Sequence, residues 1–167
     1  MAWTRGTGAV AALAIGAAVA GGGALAHTHD PLPPNPTPAQ KAAWARHEHF
    51  EQFGASFRAI GGELAKPAPD MTAIKTKAAT LNALATELPT WFPKGSGVEA
   101  RPLSAAKANI WTDAAGFSAK AADLQGQVAK LNAAAAAGDL GAVKTQFGPT
   151  NAACKACHDT FRAEDKG

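Results

Sequence analysis

The residues best suited to chemistry lie near the C-terminus, where Cys154-Lys155-Ala156-Cys157-His158 brings two thiols and an imidazole within five positions. On a helix, residues three and four apart are neighbours, so 154, 157 and 158 share one face. Cys-x-x-Cys-His is the attachment signature of c-type haem: each thiol adds to one vinyl group, and the following histidine lies under the iron. A redox dithiol and half of a zinc site are the competing readings. A redox motif belongs at a strand-to-helix start in an α/β fold, and a zinc site needs further ligands close by. The expected cofactor is one covalently held haem c per chain, with His158 as metal ligand and Cys154 and Cys157 as its anchors.

Composition describes the scaffold that must present this face. The 167 residues allow one domain, and they are rich in alanine, lack tyrosine and are only 17% charged, which favours closely packed helices because alanine is the strongest helix former. Lys and Arg number 16 against 13 Asp and Glu, a net charge of +3, too mild and dispersed to suggest nucleic acid as a partner.

Residues 1–26 have the form of a secretory signal: Arg5, an apolar stretch from Ala9 to Ala20, and the small-x-small site Ala24-Leu25-Ala26. Gly21-Gly22-Gly23 interrupts a stretch already shorter than the roughly 20 apolar residues of a membrane span, so no stable span is expected after cleavage. Export implies an oxidising compartment, the periplasm. Residues 27–37, with Pro31, Pro33, Pro34 and Pro36, read as an extended leader. Its His27-Thr28-His29 start places an imidazole third from a free amine, an arrangement able to chelate copper or nickel.

Residues 38–167 are expected to form an all-α, antiparallel four-helix bundle. Thr37-Pro38-Ala39-Gln40 starts a first helix with a capping box and Pro at its first position, ending near Ala65 before Lys66-Pro67. Its inward stripe is Arg46, His49, Phe50, Phe53, Phe57 and Ile60, and Gly61-Gly62 is expected to loosen its last turn. Asp70 caps a second helix with Ile74, Ala78, Leu81, Ala85 and Leu88 inward, ending at Pro89. After a loop holding Trp91, Phe92, Pro93, Gly95 and Gly97, Ser104 opens a third helix that runs through Ile110, Ala114, Phe117, Ala121, Leu124, Val128 and Leu131 to Gly138. Asp139 caps the fourth, through Leu140, Val143 and Phe147 to the cysteine motif and Phe161. Pro149 should kink or split that helix between Val143 and Ala152.

With the haem motif at the end of the last helix, the chain resembles cytochrome c′, the class II family of c-type cytochromes. The likeness runs over roughly residues 38–165, including Ala45-Arg46 through Gly61-Gly62, Ile110-Trp111-Thr112-Asp113-Ala114 and Cys154 through Arg162. The resemblance implies that Arg46 pairs with a haem propionate and that Arg162 stands beside the proximal imidazole. It also implies that Phe50 projects over the sixth coordination site, in a dry pocket lined further by Phe53 and by Trp91 or Phe92. Low-spin relatives of the cytochrome c-556 type carry a methionine in the first helix. Here the only methionines are Met1 and Met71, and a phenyl ring cannot donate to iron, so five-coordinate high-spin haem is expected. The alternative is a low-spin electron carrier with His49 as sixth ligand, although a surface position is the commoner fate of such a histidine.

The resemblance implies nitric oxide and carbon monoxide as ligands, a periplasmic redox partner for one-electron transfer, and a homodimer formed through the first two helices. No acid or base is evidently placed to split peroxide, so an enzyme is not expected.

Overall fold

A computed structural model describes residues 30–164. The secretory signal, the His27-Thr28-His29 start and residues 165–167 lie outside the described residues. Residues 30–37 carry no helix and lead into α1, Pro38–Leu64. Thr37 Oγ1 accepts from the Gln40 amide at 3.2 Å while Gln40 Oε1 accepts from the Thr37 amide at 2.9 Å, closing the capping box around Pro38. Asp70 Oδ1 accepts from the Thr72 and Ala73 amides to start α2, Met71–Glu87. Leu88–Trp91 then tightens into a 3-10 turn that buries Trp91.

The third helix departs from expectation. Ser104 caps nothing: the chain stays irregular to Ala108, makes one turn as α3, Asn109–Thr112, and breaks at Asp113. Asp113 accepts from the Gly116 amide at 3.0 Å and opens α4, Ala114–Ala136. Residues 105–107 are instead held against the far end of the chain, through an isolated antiparallel bridge between Ala106 and Arg162. Gly138, at φ +72°, closes α4; its amide bonds the Ala135 carbonyl and the Asp139 amide bonds that of Ala134, the left-handed glycine stop of a Schellman turn. Asp139 at once caps α5, Leu140–Phe161, by accepting from the Ala142 amide at 2.9 Å.

Pro149 does not split α5, which runs unbroken across it. Proline removes an amide donor at that turn, but its neighbours hold the helix on both sides. Gln146 Nε2 donates to the carbonyl and Oε1 of Gln127 on α4, and the fully buried Thr150 hydroxyl donates to the carbonyls of Gln146 and Gln127.

The four long helices form an antiparallel bundle whose closest pairs are α1 with α2, α2 with α4, and α4 with α5. Ile60, Ile74, Leu81, Val128, Leu131 and Val143 are wholly buried at its centre, each such side chain contributing about 2 kcal/mol through burial. In that sequence of contacts α1 and α5 are the two outer members, and they meet where Phe57 stacks on Phe147, 4.3 Å between ring centroids and 3° between planes. Gly61 does not loosen α1, which continues to Leu64. A Cβ there would lie 3.0 Å from Phe147 Cζ, so a side chain at this position would crowd the ring.

Candidate functional site

From the Phe57–Phe147 contact the two outer helices run back toward the other end of the bundle. Seven residues along each, about two turns or 10 Å, lead to Phe50 on α1 and Cys154 on α5, and one further turn leads to Arg46 and His158. Antiparallel helices therefore bring the aromatic ring, the arginine, both thiols and the imidazole to the same end of the α1–α5 seam. Phe50, Cys154 and Cys157 are all partly buried and packed against the core, while His158 and Arg162 are exposed. His158, Arg162, Lys107, Asp159, Ala163 and Glu164 line a cleft of about 260 Å³, so the motif histidine and the arginine that follows it share one opening.

The thiols are free. Burial, followed by the neighbouring Cys157, pushes the Cys154 thiol up to about 11. Burial also raises Cys157, with Lys120 pulling the other way. Both are neutral thiols in an apolar wall.

Arg46 is only 4% exposed. Its Nη1 donates to the Trp91 carbonyl at 3.2 Å and to Ser96 Oγ at 2.9 Å, and its Nη2 to the Ser96 carbonyl at 2.6 Å and Ser104 Oγ at 3.1 Å. The guanidinium also lies over the Phe92 ring, 4.8 Å from its centroid. All four oxygens are neutral, and burial with the repulsion of Arg101 brings Arg46 down to about 10, Glu99 partly offsetting. Arg101, 5% exposed, lies over the Trp44 ring. Arg46, buried and hydrogen-bonded to neutral oxygens, makes a setting that favours an anion.

Phe50 meets Trp91 edge-on at 5.2 Å and Phe92 at 6.2 Å. Phe92 in turn contacts Phe117 at 4.7 Å and Trp111 at 6.3 Å, and Phe117 contacts Phe161 at 5.3 Å. Phe53, at 6% exposure, belongs to the central core. His49 is not the surface residue expected: it is half-buried, its ring 4.7 Å from that of Trp91. Buried His49 Nδ1 and Trp91 Nε1 lack hydrogen-bond partners. Buried nitrogens are ordinarily satisfied, so these two mark a place where a bound group with acceptor atoms fits.

The donor set thus suits a haem: two thiols and an imidazole on one helix, aromatic walls, and at one edge the buried Arg46 with two orphaned ring nitrogens. Ser96 and Ser104, which hold Arg46, have no signal in the sequence, since they stand 50 and 58 residues from it in a loop whose path no periodicity reveals. Phe147 was legible as helix stripe but not as the ring that closes the far end of the seam.

Comparison with known proteins gives the same answer. A family model described as cytochrome c′ matches residues 41–162. The chain belongs to the cytochrome c′ family. It is 42% identical over 110 residues to a cytochrome c′ of Alcaligenes xylosoxydans xylosoxydans, covering 66% of this chain and 80% of the relative. With a cytochrome c-554 of Cereibacter sphaeroides it shares 35% over 108 residues, 64% of this chain and 80% of that one. Among solved structures, cytochrome c′ from Rubrivivax gelatinosus superposes with a TM-score of 0.68 at 31% identity, covering 74% of this chain and 96% of that chain. A nitric oxide complex of an Alcaligenes xylosoxidans cytochrome c prime variant gives 0.68 at 31%, covering 75% and 97%. As a cytochrome c′, the chain carries covalent haem c, and its Cys-x-x-Cys-His is the attachment motif. No helix among the described residues is long and apolar enough to cross a membrane.

Proposed function

We propose that this cytochrome c′ is a periplasmic gas-binding haem protein with five-coordinate, high-spin iron, able also to pass single electrons. Cys154 and Cys157 anchor the haem, His158 is its axial ligand, and Arg46 faces a propionate. Arg162 stands in the cleft beside His158. When bound, the haem supplies a one-electron couple and an open site for nitric oxide or carbon monoxide. The chain decides what else reaches that site.

The observation that carries this reading is Phe50. It occupies the α1 position level with the thiols, wedged against Trp91 and Phe92, and it offers the iron no lone pair. The only methionine among the described residues, Met71, begins α2. Phe50 covers the site with apolar surface, which suits small neutral ligands and disfavours oxygen, whose bound form needs polar stabilisation. The solved nitric oxide complex of the Alcaligenes protein supports the same ligand here.

A second reading rests on His49, whose buried Nδ1 lacks a partner: a histidine turned toward the iron would make a low-spin electron carrier. The visible spectrum of the reduced holoprotein, with and without nitric oxide, decides. A broad high-spin spectrum that changes on adding the gas supports the first reading. Sharp six-coordinate bands that ignore the gas establish the second.

We extend the reading to a homodimer formed through α1 and α2. Its interface would have to use small or half-buried side chains, because the large exposed hydrophobics among the described residues, Leu32, Val98 and Leu103, lie off both helices. A monomer by gel filtration at micromolar concentration rejects it.

A further inference from the structure

A helix leaves its last carbonyls without intrahelical partners, and in α5 those carbonyls follow directly on His158. Here each is taken up by one short segment. Lys107 Nζ donates to the Asp159 carbonyl at 3.2 Å, Asn109 Nδ2 to that of Thr160 at 3.1 Å, and the Lys107 amide to that of Phe161 at 3.0 Å. In return the Ala163 amide donates to the Ala105 carbonyl at 2.8 Å, around the Ala106–Arg162 bridge. The His158 carbonyl accepts from the Arg162 amide at 2.9 Å, so the bridged residue is also the one that closes the histidine's own turn. At its other end the segment is fixed to α1, because Ser104 Oγ accepts from Arg46 Nη2 and from the Ala106 amide.

We infer that residues 104–109 form a strap that positions His158, with Lys107 and Asn109 as positioning residues acting through the last turn of α5. The inference rests on His158 being the axial ligand. Helix ends fray unless tied down, and a fraying turn would let the imidazole tilt or withdraw from the iron. The strap puts a lysine charge at the negative end of the helix and uses an amide donor, a side-chain amide and an ammonium to hold three successive carbonyls. Asn109 gives a further sign of this role. Its Oδ1 is buried without a partner, a poor arrangement for stability, so the residue's contribution lies in the nitrogen that reaches Thr160.

The test uses ferrous holoprotein, with the iron–histidine stretching band read by resonance Raman and amide exchange read at Arg162 and Ala163. In Lys107→Ala/Asn109→Ala, exchange at Ala163 should accelerate about tenfold, as expected when roughly one hydrogen bond's worth of protection is lost, and the band should broaden and move to lower frequency. Asn109→Ala alone, the milder variant should the double one fail to load haem, should shift the band in the same direction with little change in melting temperature. Asp139→Ala removes the cap at the opposite end of the same helix; it should lower the melting temperature and leave the band in place. Unchanged exchange, a band superimposable on the parent's, or an equal shift in Asp139→Ala overturns the strap as a positioning device. A parent protein with no iron–histidine band rejects the ligand assignment instead.

Discussion

Arg46 ties α1 to the loop after α2, and in the proposed assignment it also faces the cofactor. Burial and the Arg101 charge bring its pKa down from the ordinary arginine value to about 10, so the folded chain without haem holds this proton less tightly than the unfolded chain. The buried charge therefore opposes folding throughout the neutral range, and that opposition is relieved only as pH rises above about 10 toward the ordinary arginine value. Yet removing the side chain takes the guanidinium's hydrogen bonds from the buried Trp91 and Ser96 carbonyls. Arg46→Leu is expected to lose about 3 kcal/mol of stability in the holoprotein, measured by denaturant unfolding at the Soret band, with Arg46→Lys recovering part of it because an ammonium cannot reproduce the planar fork. The cysteines give a second residue-scale prediction. With Cys154 raised from 9.0 to about 11, haem-free folded protein should alkylate at this sulfur about a hundredfold more slowly at pH 8 than an ordinary thiol, since the thiolate is the nucleophile. Mass-resolved iodoacetamide kinetics measure it. The motif itself was plain in the sequence because its three members lie within five positions, whereas the Ser96 and Ser104 partners of Arg46 depend on how a long loop returns.

Among the helices, α5 carries the clearest internal conflict. Pro149 sits in an otherwise continuous helix, and the side-chain bonds of Gln146 and Thr150 to α4 outweigh the break that local reasoning expects. Pro149→Ala should restore the amide and remove the ring's clash, raising stability by about 2 kcal/mol; thermal unfolding of the holoprotein checks it, and a loss would show that the proline is required by the packing. The starts of α1, α2 and α5 were legible because a cap is a local event: Thr37 with Gln40, then Asp70, then Asp139, each needs only residues two or three positions away. The start of α4 was not. Ile110 and Phe117 are seven apart and both buried, so periodicity runs smoothly over the break at Asp113. What diverts residues 104–108 from helix lies in α5, some fifty positions further along.

At the scale of the molecule, the bundle is a series of contacts from α1 through α2 and α4 to α5 whose outer members touch at Phe57 and Phe147. In the proposed assignment the rest of the seam receives the haem, and its covalent anchorage makes cofactor burial part of the folding free energy. Cys154→Ala/Cys157→Ala protein should therefore keep most of its far-ultraviolet helicity while α1 amides exchange at least tenfold faster than those of α4; hydrogen exchange with mass spectrometry measures this, and equal protection in both helices contradicts it. The same seam has a consequence for turnover: where α1 loosens in the Cys154→Ala/Cys157→Ala chain as expected, limited proteolysis should cut within α1 before α4.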